Sequence, residues 1–438
     1  MSSLPATVSF GVCLSRVTKP CLQCATGGRM SKSAESLTRR ISMEGFSEND
    51  RLGGMDFKRH NEEVARLWKA YWDRTPYRVP VILGLNSRYF FKNKDANPQG
   101  VDFQEYMENP DVMFETLLRF ARWSRFNVLQ DQELGLPDKW GVGVDFQNFY
   151  DAAWLGCPVV YMKGEVPDTR PVFQECPEKV MENGYPDPFG GLMQKALEYY
   201  EHFKSRAETE TYLDRPIEVF PPWCALGYDG PMTAACSLFS PTFVCTAMAS
   251  EPERLQTLLG FINEAIIRRM KAWRDRLGIK YPVDGWGCAD DSIALISLKM
   301  YKEHILPHHQ KLYDTFATLK ERSIHLCGDA SRHFLVLRDE LHIAAFDTGF
   351  PIDFGGIRRQ LGPDIRINGG PHVEFLRTMT PEQVYERTRE ILQSGVLEGG
   401  LFVLREGNNL APGTPLENTE AMYRAGRDFG VLKERKEN

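Results

Sequence analysis

The sequence predicts an α/β chain folded over residues 55–435 as a single (β/α)8 TIM barrel with an irregular insertion near its mouth. Three observations predict it. Short β-branched or aromatic runs at 279–286, 323–327, 342–346, 365–368 and 401–404 have amphipathic helices between most of them, the alternation of a parallel sheet. Three more runs, at 79–83, 126–130 and 217–220, bring the strands to eight. No Gly-x-Gly-x-x-Gly follows a strand, which removes the nucleotide-binding form of the open doubly wound sheet, the alternative architecture.

Taken in chain order, the first two runs form the start of the barrel, and 134–211 is long and irregular, an insertion over the mouth with 158–161 as an extra strand. After 217–220, Ser250-Glu-Pro-Glu253 reads as a capping box with proline in the first turn. Leu255, Leu258, Leu259, Ile262, Ile266, Met270, Trp273 and Leu277 then share one stripe until Gly278 ends the helix. Thr380-Pro-Glu-Gln383 and Thr414-Pro-Leu-Glu417 repeat the start signal.

Barrel loops that follow strands share one rim, and chemistry sits there. His325-Leu-Cys327 ends a strand with an imidazole and a thiol on the same side, a donor pair suited to zinc. Asp290 and Asp291 follow the preceding strand, Asp347 ends the next, His372 follows 365–368, and Asn408 follows the last. All are expected around one mouth. His308 and His309, adjacent on a helix, diverge and are expected at the surface.

Several of these stretches, in order, resemble the uroporphyrinogen decarboxylase superfamily: Gly227-Tyr-Asp-Gly-Pro-Met-Thr233, Asp290-Asp291, His325-Leu-Cys-Gly-Asp329, and 399–403 through Gly413-Thr-Pro-Leu-Glu-Asn418. The superfamily holds decarboxylases and corrinoid-dependent methyltransferases, and the chain resembles the second branch more. A decarboxylase would grip substrate carboxylates with an Arg-Gln-Ala-Gly-Arg-Tyr signature, of which Arg88-Tyr89 remain, and would use an aspartate at Asp131. Its late histidine is replaced by Asn408. The methyltransferase branch implies zinc held by His325, Cys327 and a later cysteine, which also falls at Asn408; His372, Cys288 or a carboxylate would then complete the shell, His372 being favoured.

The resemblance therefore implies a metal-dependent methyltransferase working between a corrinoid on a partner protein and a small substrate. In it Asp131, Asp290 and Asp291 are the candidate catalytic acids, and Arg88, Tyr89, Asp347 and Asn408 contact substrate. A cofactor-free decarboxylase and a non-catalytic binding relative are the alternatives.

Composition excludes other classes. With 53 basic and 59 acidic residues the net charge is -6, so no basic face for nucleic acid is implied. Residues 230–250 are uncharged, but Pro241 and several Ser and Thr interrupt them, which argues against a membrane span. Ten cysteines without a disulfide framework point to a reducing, cytoplasmic setting, and a homodimer is compatible. Residues 1–50 read as a disordered or mis-started extension, with Met30 and Met43 as other starts and Cys21-x-x-Cys24 carrying little weight.

Overall fold

The computed structural model describes the backbone strand Arg39–Ile41 and residues 50–432; Cys21, Cys24 and the alternative starts lie outside the described residues. The strands are β1 (Arg39–Ile41), β2 (Trp140–Gly143), β3 (Val159–Val160), β4 (Asp168–Thr169), β5 (Glu210–Tyr212), β6 (Arg215–Phe220), β7 (Gly287–Ala289), β8 (Arg322–Leu326), β9 (Ile343–Thr348), β10 (Arg366–Gly369) and β11 (Phe402–Leu404). The last five form one parallel sheet in the order β11-β10-β9-β8-β7, with helices between successive strands.

Backbone bonds continue this sheet beyond both edges. Val81 bridges Leu404 in parallel, with Leu404 N–H donating to the Pro80 carbonyl and Ile82 N–H to that of Leu404; Asp131 N–H in turn donates to the Val81 carbonyl. At the other edge Ala289 N–H donates to the Tyr228 carbonyl. These bonds link eight segments in one ladder, of which β7 to β11 form the parallel sheet.

Three strand expectations are corrected. Residues 217–220 do not enter the main sheet. They belong to β6, which pairs with β2 in parallel and with β5 in antiparallel, so the stretch read as irregular insertion supplies a partner strand. Gly141 permits this, because a Cβ there would strike the Phe220 ring. The 279–286 run turns at positive-φ Gly285, and the strand proper is β7. Phe126 and Asn127 complete the helix Pro110–Asn127, leaving 128–131 as the extended part. The remaining insertion does carry an added hairpin, β3 against β4.

Helix Pro252–Leu277 buries the predicted stripe, from Leu255 through Trp273, against the core. Each such side chain contributes about 1.5–3 kcal/mol when fully buried. Gly278, at φ 66°, ends the helix in the left-handed conformation. Ser250 does not cap it: that residue finishes helix Pro241–Ser250 and donates back to the Thr246 carbonyl. The Thr380 capping box forms as expected, with Gln383 returning the bond. At the third start signal, helix Leu416–Phe429 has no side-chain cap, and Thr414 donates to the Ala411 carbonyl instead. No single helix among the described residues is long and apolar enough to cross a membrane.

Candidate functional site

Strand register assembles the site. Ala289 pairs with His325 and His325 with Asp347, so three consecutive strand ends lie side by side. The His325 side chain is 11% exposed, with Nδ1 2.7 Å from Asp347 Oδ2 and Nε2 3.2 Å from Cys327 Sγ. Asp291, just past β7, accepts Cys327 N–H at 2.7 Å and places Oδ1 3.9 Å from His325 Nε2. Donor atoms of Asp291, His325 and Cys327 all lie within 4.8 Å of one another. Gly328, at φ 71°, turns the chain after Cys327, and at Gly349 any Cβ would strike the backbone of Cys327 and Gly328. The two loops therefore meet only because glycine stands there.

Charge is concentrated here. Burial opposes a charged His325, yet Cys327 and Asp347 outweigh it and hold the imidazole well above its ordinary pKa. Burial pushes the Cys327 thiol up against the pull of His325. Asp347 also takes Arg405 Nη1 at 3.1 Å, and Arg405 Nη2 donates to the Asn408 carbonyl at 2.8 Å and lies 3.3 Å from Glu406 Oε1. Glu406 accepts Gly84 N–H at 2.7 Å, and burial lifts its carboxyl to about 7.

Other expected site residues lie elsewhere or do other work. Asp131 is fully buried. Its carboxylate accepts Arg78 Nη1 and Nη2 at 2.5 and 2.8 Å, Val81 N–H at 2.7 Å and Tyr423 O–H at 3.1 Å, so it pins strand segments together and leaves no face for substrate. Asp290 is equally buried, accepting Thr233 N–H and O–H at 2.8 Å at the start of helix Pro231–Phe239, with His309 Nε2 3.0 Å away. His309 is thus a core residue rather than a surface one, and His308 packs against Gln256 through a hydrogen bond. Tyr89 is buried and donates to the Thr414 carbonyl. His372 caps helix Val373–Thr378, its Nδ1 accepting Glu374 N–H, and Asp291 takes the place beside His325 and Cys327 that was expected of it.

Arg88 and Asn408 remain near the mouth. Arg88 is held by Gln147 Oε1 at 2.7 Å and Asn148 Oδ1 at 2.6 Å, two neutral acceptors, and Cys327 is among the groups whose charge it feels. Sequence reasoning assigned no role to Arg405, Glu406 or Asp229, although an Arg-Glu pair directly after a buried strand is a signal of buried charge.

A parallel sheet with donor side chains converging on consecutive strand ends is the layout of a barrel-type enzyme site. The chain belongs to the uroporphyrinogen decarboxylase (URO-D) family, whose pattern it matches over residues 63–429. It is 32% identical over 142 residues to a methylated-thiol–coenzyme M methyltransferase of Methanosarcina mazei, a match covering 32% of this chain and 36% of that protein, so about a third of that relative's length is spanned. A uroporphyrinogen decarboxylase of Prochlorococcus marinus is 22% identical over 385 residues, 85% of this chain and 98% of that protein. A solved methyltransferase from Methanosarcina mazei shares the fold, with TM-score 0.54, 19% identity, and coverage of 84% of this chain and 98% of its own. The higher identity is to the methyltransferase, which supports placing the chain on that side of the family.

Proposed function

We propose that the protein is a metal-dependent methyltransferase that moves a methyl group between a corrinoid carried by a separate protein and a small substrate. The observation that carries this reading is the convergence of Asp291, His325 and Cys327, with Asp347 behind the imidazole. The donor set fits zinc. It offers oxygen, nitrogen and sulfur at close quarters, and Asp347 on Nδ1 leaves Nε2 facing Cys327 and Asp291, where a metal would displace its proton.

When bound, the ion would supply Lewis acidity toward the heteroatom that carries or receives the methyl group. Asp347 and Arg405 hold the plane of His325, and three protein donors leave one position for substrate. Arg88, bound to neutral amides, presents its charge to an anionic part of the substrate. A cytoplasmic location and a homodimer belong to the same reading.

The test is metal analysis of protein purified without chelator and with zinc supplied, read beside methyl transfer between methylcobalamin and thiols. Stoichiometric zinc and transfer are expected in the wild type. Both are lost in Cys327→Ser and Asp291→Asn, while His372→Ala keeps them. A wild type without stoichiometric metal refutes the zinc site. Metal without methyl transfer would favour a binding relative.

A further inference from the structure

Asp291 has to be aimed by the chain that carries it. Its side chain is 40% exposed, and its carboxylate takes a backbone bond from Cys327 N–H at 2.7 Å. The residues on either side of it are tied down. Asp290 N–H donates to the His325 carbonyl at 3.2 Å. The buried Asp290 carboxylate takes Thr233 N–H and O–H at 2.8 Å each and Met232 N–H at 3.2 Å, and His309 Nε2 lies 3.0 Å away on helix Leu306–Phe316. Ser292 N–H donates to Thr233 Oγ1 at 3.0 Å. One hydroxyl thus donates to residue 290 and accepts from residue 292, and Asp291 is the residue between them. Thr233 comes this close because Gly230, at φ 92°, turns the chain against the strand end, where any Cβ would lie 2.4 Å from the Ala289 carbonyl oxygen and from Asp290 Cβ. Asp290 and the two backbone N–H groups already satisfy the start of helix Pro231–Phe239, so the bond to Ser292 adds nothing to the helix.

We propose that Thr233 is a positioning residue for Asp291: its hydroxyl clamps the two flanking residues and so keeps the Asp291 carboxylate within reach of Cys327 and His325. This rests on the metal site of the function proposed above. A carboxylate on a side chain of two torsions stays at one point only where its backbone is fixed, and backbone freedom left in the unloaded site would be lost at each binding event at the expense of affinity. Removing a group that orients a metal ligand costs about 10–100-fold in metal affinity. Valine at 233 keeps the volume and the backbone bond to Asp290 and removes both hydroxyl bonds, whereas serine keeps all three.

The experiment uses the full chain and two readouts: hydrogen exchange at the Cys327 amide in metal-free protein, and zinc affinity by competition with a chelating dye. Thr233→Val is expected to speed exchange at Cys327, whose acceptor is the Asp291 carboxylate, and to weaken zinc binding by about 10–100-fold. Thr233→Ser returns both toward the wild type. Thr388→Val is the control, since Thr388 is equally a buried threonine and donates to the Val384 carbonyl at 2.8 Å within helix Pro381–Ile391, away from the strand ends. It lowers the melting temperature and leaves both readouts unchanged. Thr233→Val with wild-type exchange and affinity, or with changes that Thr388→Val matches, overturns the proposal and leaves Thr233 a structural residue. A wild type that binds no zinc overturns the metal function proposed above; faster exchange at Cys327 in metal-free Thr233→Val then still supports the clamp, and unchanged exchange overturns it.

Discussion

Replacing Asp131 by alanine is expected to unfold the protein more easily without touching the strand-end site directly. The carboxylate of Asp131 is 0% exposed, Arg78 is 5% exposed, and four hydrogen bonds converge on it. Truncation leaves the Arg78 guanidinium buried with Glu63, 3.1 Å away and 31% exposed, as its remaining ionic partner. Breaking a buried pair from one side costs about 3–5 kcal/mol. The Val81 N–H, stripped of its acceptor, costs about 1–3 kcal/mol more. Rescue by Glu63 and by local water offsets part of this, so a net loss of about 4 kcal/mol is expected. With an unfolding entropy of roughly 2.1 cal/mol/K per residue, a chain of this size loses about 4 °C in melting temperature. Replacing both partners, Asp131→Leu with Arg78→Met, should recover about half of the loss, since no charge is then left unpaired. The assay is denaturant unfolding of both variants with zinc content followed in parallel. An Asp131→Ala protein of unchanged stability but abolished activity would refute the structural role and return Asp131 to the chemistry.

Uroporphyrinogen should not be converted to coproporphyrinogen at a useful rate, because the only acid available to grip pyrrole nitrogens in that position is consumed by Arg78, Val81 and Tyr423; turnover matching an authentic decarboxylase would overturn this. Gly84→Ala should lower stability by about 1–3 kcal/mol and loosen Arg405 from Asp347, since the new methyl group collides with Arg405 Nη2 and Glu406 Oε1; unchanged melting and zinc affinity would refute it. Glu406 holds its proton more tightly when folded, at about 7, than when unfolded, so its contribution favours the folded state at low pH and is lost as pH rises from its ordinary value through about 7. Glu406→Gln should therefore gain stability relative to wild type across that window, measured by denaturation at several pH values, and parallel curves would count against it.

The strand and helix alternation of the C-terminal half was legible because each element carries its own pattern. The stripe of helix Pro252–Leu277 and the Thr380 capping box are local facts, decided within a few residues. The N-terminal half was harder. The 217–220 run has the composition of a sheet strand, but its partner is β2, which lies in a stretch with no alternation to announce it, and pairing is a long-range choice. His309 shows the same limit, since a histidine next to another on a helix gives no hint that Asp290 waits 3.0 Å away in the core.

The sequence by itself determined the chemistry available at the strand ends. A histidine and a cysteine two residues apart on an extended run must point the same way, because side chains alternate along a strand, and that rule needs no tertiary information. Which acids join them was decided only by the fold. Asp290 and Asp291 are neighbours in sequence and opposite in fate: one is turned inward to cap a helix and meet His309, the other is left beside Cys327. His372 and Asp131 were equally good ligand or acid types, and packing assigned the first to a helix start and the second to an arginine. The reason is physical. Residue type fixes what an atom can bond to, while burial and the register between distant strands fix which bonds are already taken.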